Sequence, residues 1–201
     1  MLAGRHSPER WERYLAVAKM ELEKEHYEAA ESLLLEAVRA VYEPIGRKHL
    51  ALANVFRQLG HHYGIFEKRY DRAGANYQRA LAITETAAPK HPDLSGLYLE
   101  VGGSYSNQGD FENAEVFMRQ ALAFVEKHSA TDVGAISNAV SALAKVLDTR
   151  GKVQEAEGLY LRNIKIMEQG ITQHHLFPVW IAYSLADLAE FYRRPRLLCF
   201  G

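Results

Sequence analysis

Small, large and polar positions alternate in the same way in four stretches of the chain. Tyr27-Glu28-Ala29-Ala30, Tyr70-Asp71-Arg72-Ala73, Phe111-Glu112-Asn113-Ala114 and Val153-Gln154-Glu155-Ala156 superpose, with closing alanines 43, 41 and 42 residues apart. Downstream, positions at offsets 0, 4, 7, 8 and 11 repeat the theme. They read Ala30, Leu34, Ala37, Val38, Val41, then Ala73, Tyr77, Ala80, Leu81, Thr84, then Ala114, Met118, Ala121, Leu122, Val125, and last Ala156, Tyr160, Asn163, Ile164, Met167. That spacing puts all five on one helix face. Two helices approach closely only where side chains are small, so Ala at offsets 0 and 7 marks a tight contact. The larger residue at offset 4 fills the space beside it. Asn163 breaks the column and predicts a looser contact near the end of the array.

A second helix precedes each of these, at roughly 9–24, 48–65, 92–107 and 133–149, and a fifth stands alone at 176–194. Leucines and aromatics recur in them, as in Leu97, Val101 and Tyr105. The turns Gln108-Gly109-Asp110 and Arg150-Gly151-Lys152 carry the glycine that ends a helix in the left-handed region. Pro92 suits a first helical position, and Pro44, Gly46 and Pro89 punctuate the loops between pairs. The second unit holds one extra residue in its turn, Ile65 to Arg69, which leaves the register of that helix face open. The expected organisation is a lead-in over 1–8 and a repeat domain over 9–194. Its pairs span about 9–46, 47–90, 91–131 and 132–174, then come an unpaired helix at 175–194 and a tail at 195–201. The fold class is all-α.

A helical pair repeating with these small and aromatic positions resembles the tetratricopeptide repeat family. The third unit carries the resemblance best, with Tyr98, Val101, Gly102, Tyr105, Ala114, Met118 and Ala121 on the signature positions. Its spacing of about 42 residues exceeds the usual period of about 34. This longer form, with His91-Pro92 opening the first helix of a pair, is similar to the repeats of kinesin light chain and related cargo adaptors. The resemblance implies a right-handed superhelix of stacked antiparallel hairpins, a tetratricopeptide-like α-solenoid. It also implies that ligands lie on the concave side, along the first helix of each pair.

The positions so implied repeat every 42 residues: Asn54, Gly96, Asn138, Trp180; then Arg57, Leu99, Ser141, Tyr183; then His61, Gly103, Lys145, Asp187; then Gly64, Ser106, Asp148, Glu190. From these, Asn54, Arg57, His61, Leu99, Asn138, Ser141, Lys145 and Tyr183 are the candidate protein- or peptide-binding residues. An Asn amide both donates and accepts, which suits a peptide backbone. Arg57, His61 and Lys145 would favour acidic side chains. Gly96 and Gly103 leave a bare patch floored by Leu99, to admit a bulky ligand group or to let helices pack closely. Some family members clamp the C-terminal carboxylate of a chaperone. Here the corresponding positions include Glu100, which would repel it, so that clamp is expected to be absent.

Composition narrows the function. With 24 Lys plus Arg against 25 Asp plus Glu, the 201-residue chain lacks the basic excess that phosphate binding uses, so nucleic acid is not an expected partner. No apolar run reaches the length of a membrane span, and the first residues lack a secretory core, which points to a cytoplasmic location. One cysteine, Cys199, excludes an internal disulfide framework. The pairs His61-His62 and His174-His175 are adjacent on a helix, pointing about 100° apart, and read as solvated surface rather than metal ligands. Glu21, Glu23, Glu25, Glu28 and Glu31 read as a solvated face, and Arg193-Arg194-Pro195-Arg196 as a weak basic end. No catalytic constellation and no cofactor motif stands out.

The last helix is apolar on more than one side, through Trp180, Ile181, Tyr183, Leu185, Leu188, Phe191 and Tyr192. A terminal repeat normally presents a polar outer face, so this end is expected to self-associate or to mark an alternatively ended chain. The resulting expectation is a non-enzymatic adaptor that binds a peptide or partner protein. The alternative is a structural subunit packed permanently into a larger assembly.

Overall fold

The computed structural model describes residues 9–45, 50–174 and 179–194. Among these residues there are helices and no strand. In chain order they are α1 (Glu9–Glu23), α2 (Tyr27–Ile45), α3 (Leu50–His61) running into a π turn (His62–Phe66), α4 (Tyr70–Ala87), α5 (Asp93–Asn107), α6 (Phe111–His128), α7 (Val133–Thr149), α8 (Val153–His174) and α9 (Val179–Arg193). The lead-in over 1–8, the tail with Cys199, His175, and the side chains of Trp180 and His174 lie outside the described part.

The chain divides into two compact units, one ending at Gly109 and one beginning at Asp110. In the first, α1 packs on α2, α2 on α3, α3 on α4 and α4 on α5. In the second, α6 packs on α7, α7 on α8 and α8 on α9. The third sequence repeat thus gives α5 to the first unit and α6 to the second.

The small-residue column behaves as its spacing demands. Ala30, Ala73, Ala114 and Ala156 are fully buried, as are Ala37, Ala80 and Ala121, with Leu34, Tyr77, Met118 and Tyr160 buried between them. The partner helices carry a matching small residue at Ala18, Gly60, Gly102 and Ala144, all buried. At Gly60 the approach is closest, since a Cβ there would sit 2.4 Å from the Tyr77 ring. Asp110 and Asp132 cap α6 and α7, each accepting a backbone N–H three residues on, from Asn113 at 3.1 Å and Ala135 at 2.9 Å.

Each hairpin turn uses one left-handed residue at the same place in the repeat: Glu25 (φ 61°), Lys68 (φ 54°), Gly109 (φ 82°) and Gly151 (φ 75°). From the small residue of the first helix to this residue is seven positions in three hairpins and eight in the second. The surplus residue is taken up at the end of the helix, as the π turn His62–Phe66. The closing hydrogen bond widens to match. His26 N donates to Glu21 O and Lys152 N to Leu147 O, five residues back, whereas Arg69 N reaches Tyr63 O, six back. Upstream of the π turn the face of α3 keeps its register, with Leu52, Val55 and Leu59 buried and Asn54 exposed.

Two surface expectations change. His62 is fully buried, not solvated, because the π turn swings it inward, against Tyr63 and Phe66. The glutamate face is only partly solvated, since Glu21 is half-buried and bonded to Lys24 and His26, while Glu31 is half-buried and accepts from the Tyr63 hydroxyl. On α9, Phe191 is buried against the Tyr160 ring at 5.1 Å, while Leu185 and Tyr192 point outward, as the two-sided pattern predicts. No described helix is long and apolar enough to cross a membrane.

Candidate functional site

Among the described residues each unit holds a cavity walled by the first helices of successive pairs and floored by the second helix between them. In the first unit Trp11 of α1, Asn54 and Arg57 of α3, Thr84 of α4, and His91, Asp93 and Leu97 before and within α5 enclose about 520 Å³. In the second, Asn138, Ser141 and Lys145 of α7, Asn163 and Met167 of α8, and Tyr183, Ser184 and Asp187 of α9 enclose about 570 Å³.

In the first unit most of the polar groups are turned on one another, while the buried Trp11 Nε1 has no hydrogen-bond partner among the described residues. Arg57 Nε donates to Glu100 Oε1 at 2.8 Å and to Oε2 at 2.9 Å, and its Nη2 to Oε1 at 2.6 Å. His61 Nε2 lies 3.0 Å from the same Oε1, and Asp93 Oδ2 stands 3.8 Å from Arg57 Nη1. Burial alone would raise the Glu100 carboxyl, but the hydrogen bonds from His61 and Arg57 outweigh it and hold the group below the ordinary carboxylate range. The bond to Glu100 likewise raises Arg57. Burial, reinforced by the Glu100 charge, pushes the Tyr77 hydroxyl well above its usual value. Gly96 is bare for a reason visible here: a Cβ would meet Arg57 Nη2 at 3.0 Å. The guanidinium occupies that space, while Gly103 has nothing within 4 Å.

The second cavity is built differently. Ser141 Oγ donates to Asp187 Oδ2 at 2.9 Å, and Lys145 Nζ pairs with the same oxygen at 2.9 Å. At the floor, Asn163 is 2% exposed and its Nδ2 donates to Ser184 Oγ at 3.1 Å. Its Oδ1 is buried with no hydrogen-bond partner among the described residues. A buried carbonyl left unmatched costs about 1–3 kcal/mol. Tyr183 stands at the rim, 65% exposed.

Of the eight residues expected from sequence, Asn54 and Arg57 line the first cavity, and Asn138, Ser141, Lys145 and Tyr183 the second. His61 joins the Glu100 cluster, and Leu99 is half-buried on α5 and lines neither cavity. Arg57, His61 and Lys145 are already paired with carboxylates of the chain, so the charge expected to draw acidic ligands is largely compensated. Sequence reasoning did not single out Trp11 or Ser184, and noted Asn163 only as a break in the alanine column. At that break Asn163 is buried, bonded to Ser184 and at the edge of the second cavity.

Residues 51–127 match the tetratricopeptide repeat family model. The mouse protein "Tetratricopeptide repeat protein 19, mitochondrial" is 25% identical over 181 residues, which is 90% of this chain and 44% of that protein's length. The crystal structure of BtubC from P. vanneervenii superposes with a TM-score of 0.80 at 20% identity, covering 93% of this chain and 75% of that one. The nearly identical TPR-like repeats of a kinesin-light-chain protein from Podosopora anserina give 0.77 at 21% identity, covering 92% and 87%. Residues 51–127 are therefore tetratricopeptide repeats by sequence, and the described helical hairpins have the fold of that repeat class.

Proposed function

We propose that the chain is a non-enzymatic interaction scaffold and that the cavity of its second unit receives an extended peptide segment. Repeats of this class generally mediate protein–protein interaction, and the reading here is narrower. The observation that carries it is a cavity lined by Asn138, Ser141 and Asn163, the last with a buried Oδ1 that has no hydrogen-bond partner among the described residues and that a small opening of the floor would present to a ligand. A ligand N–H, from a peptide backbone or a side-chain amide, supplies the donor the protein lacks. Lys145 and Asp187 neutralise one another at the wall, so the favoured segment is polar and uncharged rather than acidic. The Tyr183 ring at the rim offers a flat surface for an adjoining side chain.

The test is panning of a displayed random-peptide library on the immobilised chain. Polar, amide-rich sequences should be enriched, and Asn138→Ala with Ser141→Ala should lower their affinity on the order of tenfold or more, at about 1 kcal/mol per lost hydrogen bond. Equal binding by the double variant, with helicity intact, would place the interface elsewhere and favour the alternative of a permanently packed assembly subunit.

A further inference from the structure

The π turn gathers three ligating side chains that the peptide-binding reading does not use. His62 lies on the turn, Glu67 closes it, and Glu31 reaches in from α2 of the preceding hairpin. One candidate ligand atom from each lies within 4.8 Å of the others. The His62 ring is 0% exposed, and neither of its nitrogens has a hydrogen-bond partner among the described residues. Nε2 is 2.9 Å from Glu67 Oε1, but out of line for a hydrogen bond. Two ligand atoms that converge on a third point, rather than on each other, stand in this relation.

We propose that Glu31, His62 and Glu67 form a site for a divalent transition-metal ion, with zinc best fitted to one imidazole and two carboxylates. Zinc–nitrogen and zinc–oxygen bonds are about 2.0–2.2 Å, so the two glutamate side chains would close in from their present spacing to bind the ion. The glutamates are partly exposed and give the ion a way in, while the imidazole is held by Tyr63 and Phe66. Neighbouring groups set the competition. The Tyr63 hydroxyl donates to Glu31 Oε1, Arg72 Nη1 is 3.9 Å from that oxygen, and Arg69 Nη1 is 3.8 Å from Glu67 Oε2. Those contacts leave Glu31 Oε2 and Glu67 Oε1 for the ion, and the two arginines moderate its affinity. An ion held there ties the end of α3 to α2 and so pins the first hairpin to the second.

Zinc chloride titrated calorimetrically into the full chain should show one saturable site and raise the melting temperature. Glu31→Gln and Glu67→Gln should each weaken binding by at least about tenfold with unchanged circular dichroism, and abolish the zinc-dependent rise in melting temperature. Glu28→Gln, exposed on the same helix as Glu31, should bind like the parent. His62→Gln should also lose the site, but because that ring is buried the two glutamate variants decide the matter if it does not fold. Absence of saturable binding, or parent-like binding by both glutamate variants, overturns the assignment.

Discussion

The two cavities are built from equivalent positions two repeats apart in sequence, and they pair their polar groups differently. Asn54 and Asn138, Arg57 and Ser141, His61 and Lys145, Glu100 and Ser184, and Gly103 and Asp187 are each 84 residues apart, and Ala80 and Asn163 are 83 apart because of the residue absorbed in the π turn. In the first unit a bidentate Arg57–Glu100 pair joins α3 to α5 and takes up the hydrogen-bonding capacity of that wall. In the second unit the carboxylate has moved one position type along, to Asp187, and the vacated place holds the small neutral Ser184. Replacing alanine by Asn163 beneath it adds a carbonyl with no hydrogen-bond partner among the described residues. Equivalent positions of one repeat plan thus carry a salt bridge between helices in one unit and a serine–asparagine pair in the other.

The largest expected effect is in the first unit. Glu100→Gln takes from the half-buried Arg57 its bidentate carboxylate and leaves only the more distant Asp93 as counter-charge, so it should destabilise the chain by about 2 kcal/mol at neutral pH, below the usual cost of breaking a buried pair because both groups keep some solvent contact. The Glu100 carboxyl titrates lower folded than unfolded, so its contribution is present above the ordinary carboxylate range and is lost as pH falls through the depressed folded value. Denaturant melts of parent and variant should therefore differ at pH 7 and converge in acid. A difference that persists unchanged at acid pH would mean that packing, not charge, joins α3 to α5.

A smaller effect separates the helix contacts. Unit two carries Ala144 where unit one carries Gly60. Gly60→Ala gains about 1 kcal/mol of helix propensity but drives a methyl group to 2.4 Å from the Tyr77 ring. Overpacking costs about 1–3 kcal/mol, so a modest fall in melting temperature is expected. A rise would show that the ring yields and that the tight contact is not what selects glycine there.

The smallest effect on stability has the sharpest meaning. Asn163→Ala restores the residue type found at Ala37, Ala80 and Ala121 and removes an unmatched buried carbonyl while losing the bond to Ser184. Its net cost should stay below about 1 kcal/mol, while binding of the peptides selected on the parent should fall several-fold. A loss of more than about 2 kcal/mol of stability without loss of binding would make Asn163 a structural tie, and the two cavities would differ only in how they cohere.

Much of this was legible in the chain. The alanine columns and the 42-residue period depend on local helical geometry and close contact, both of which leave a spacing in sequence, and the helices fall where that spacing puts them. The groove columns Asn138, Ser141, Lys145 and Tyr183 line one cavity for the same reason. What sequence could not show was pairing. Glu100 read as a repellent surface charge, yet it is the partner of Arg57 43 residues away, and Lys145 read as a free cation, yet it pairs with Asp187. Such pairings depend on side-chain direction across neighbouring helices, which periodicity does not encode. The surplus residue was visible between Ile65 and Arg69, but its absorption inside the end of the helix, and the burial of His62 that follows, depend on which hydrogen bond widens.

That widened turn also bears on how such an array tolerates change in its length. An inserted residue would rotate every later side chain of a regular helix by about 100°, exchanging buried faces for wet ones. Here the insertion falls after the last tight contact of α3 and before the left-handed Lys68, and α4 begins again with Ala73 and Ala80 buried in step. The π turn acts as a phase corrector: it confines a frame error to one wall of one hairpin, and the disturbed wall is where new chemistry, a buried imidazole between two carboxylates, has room to arise.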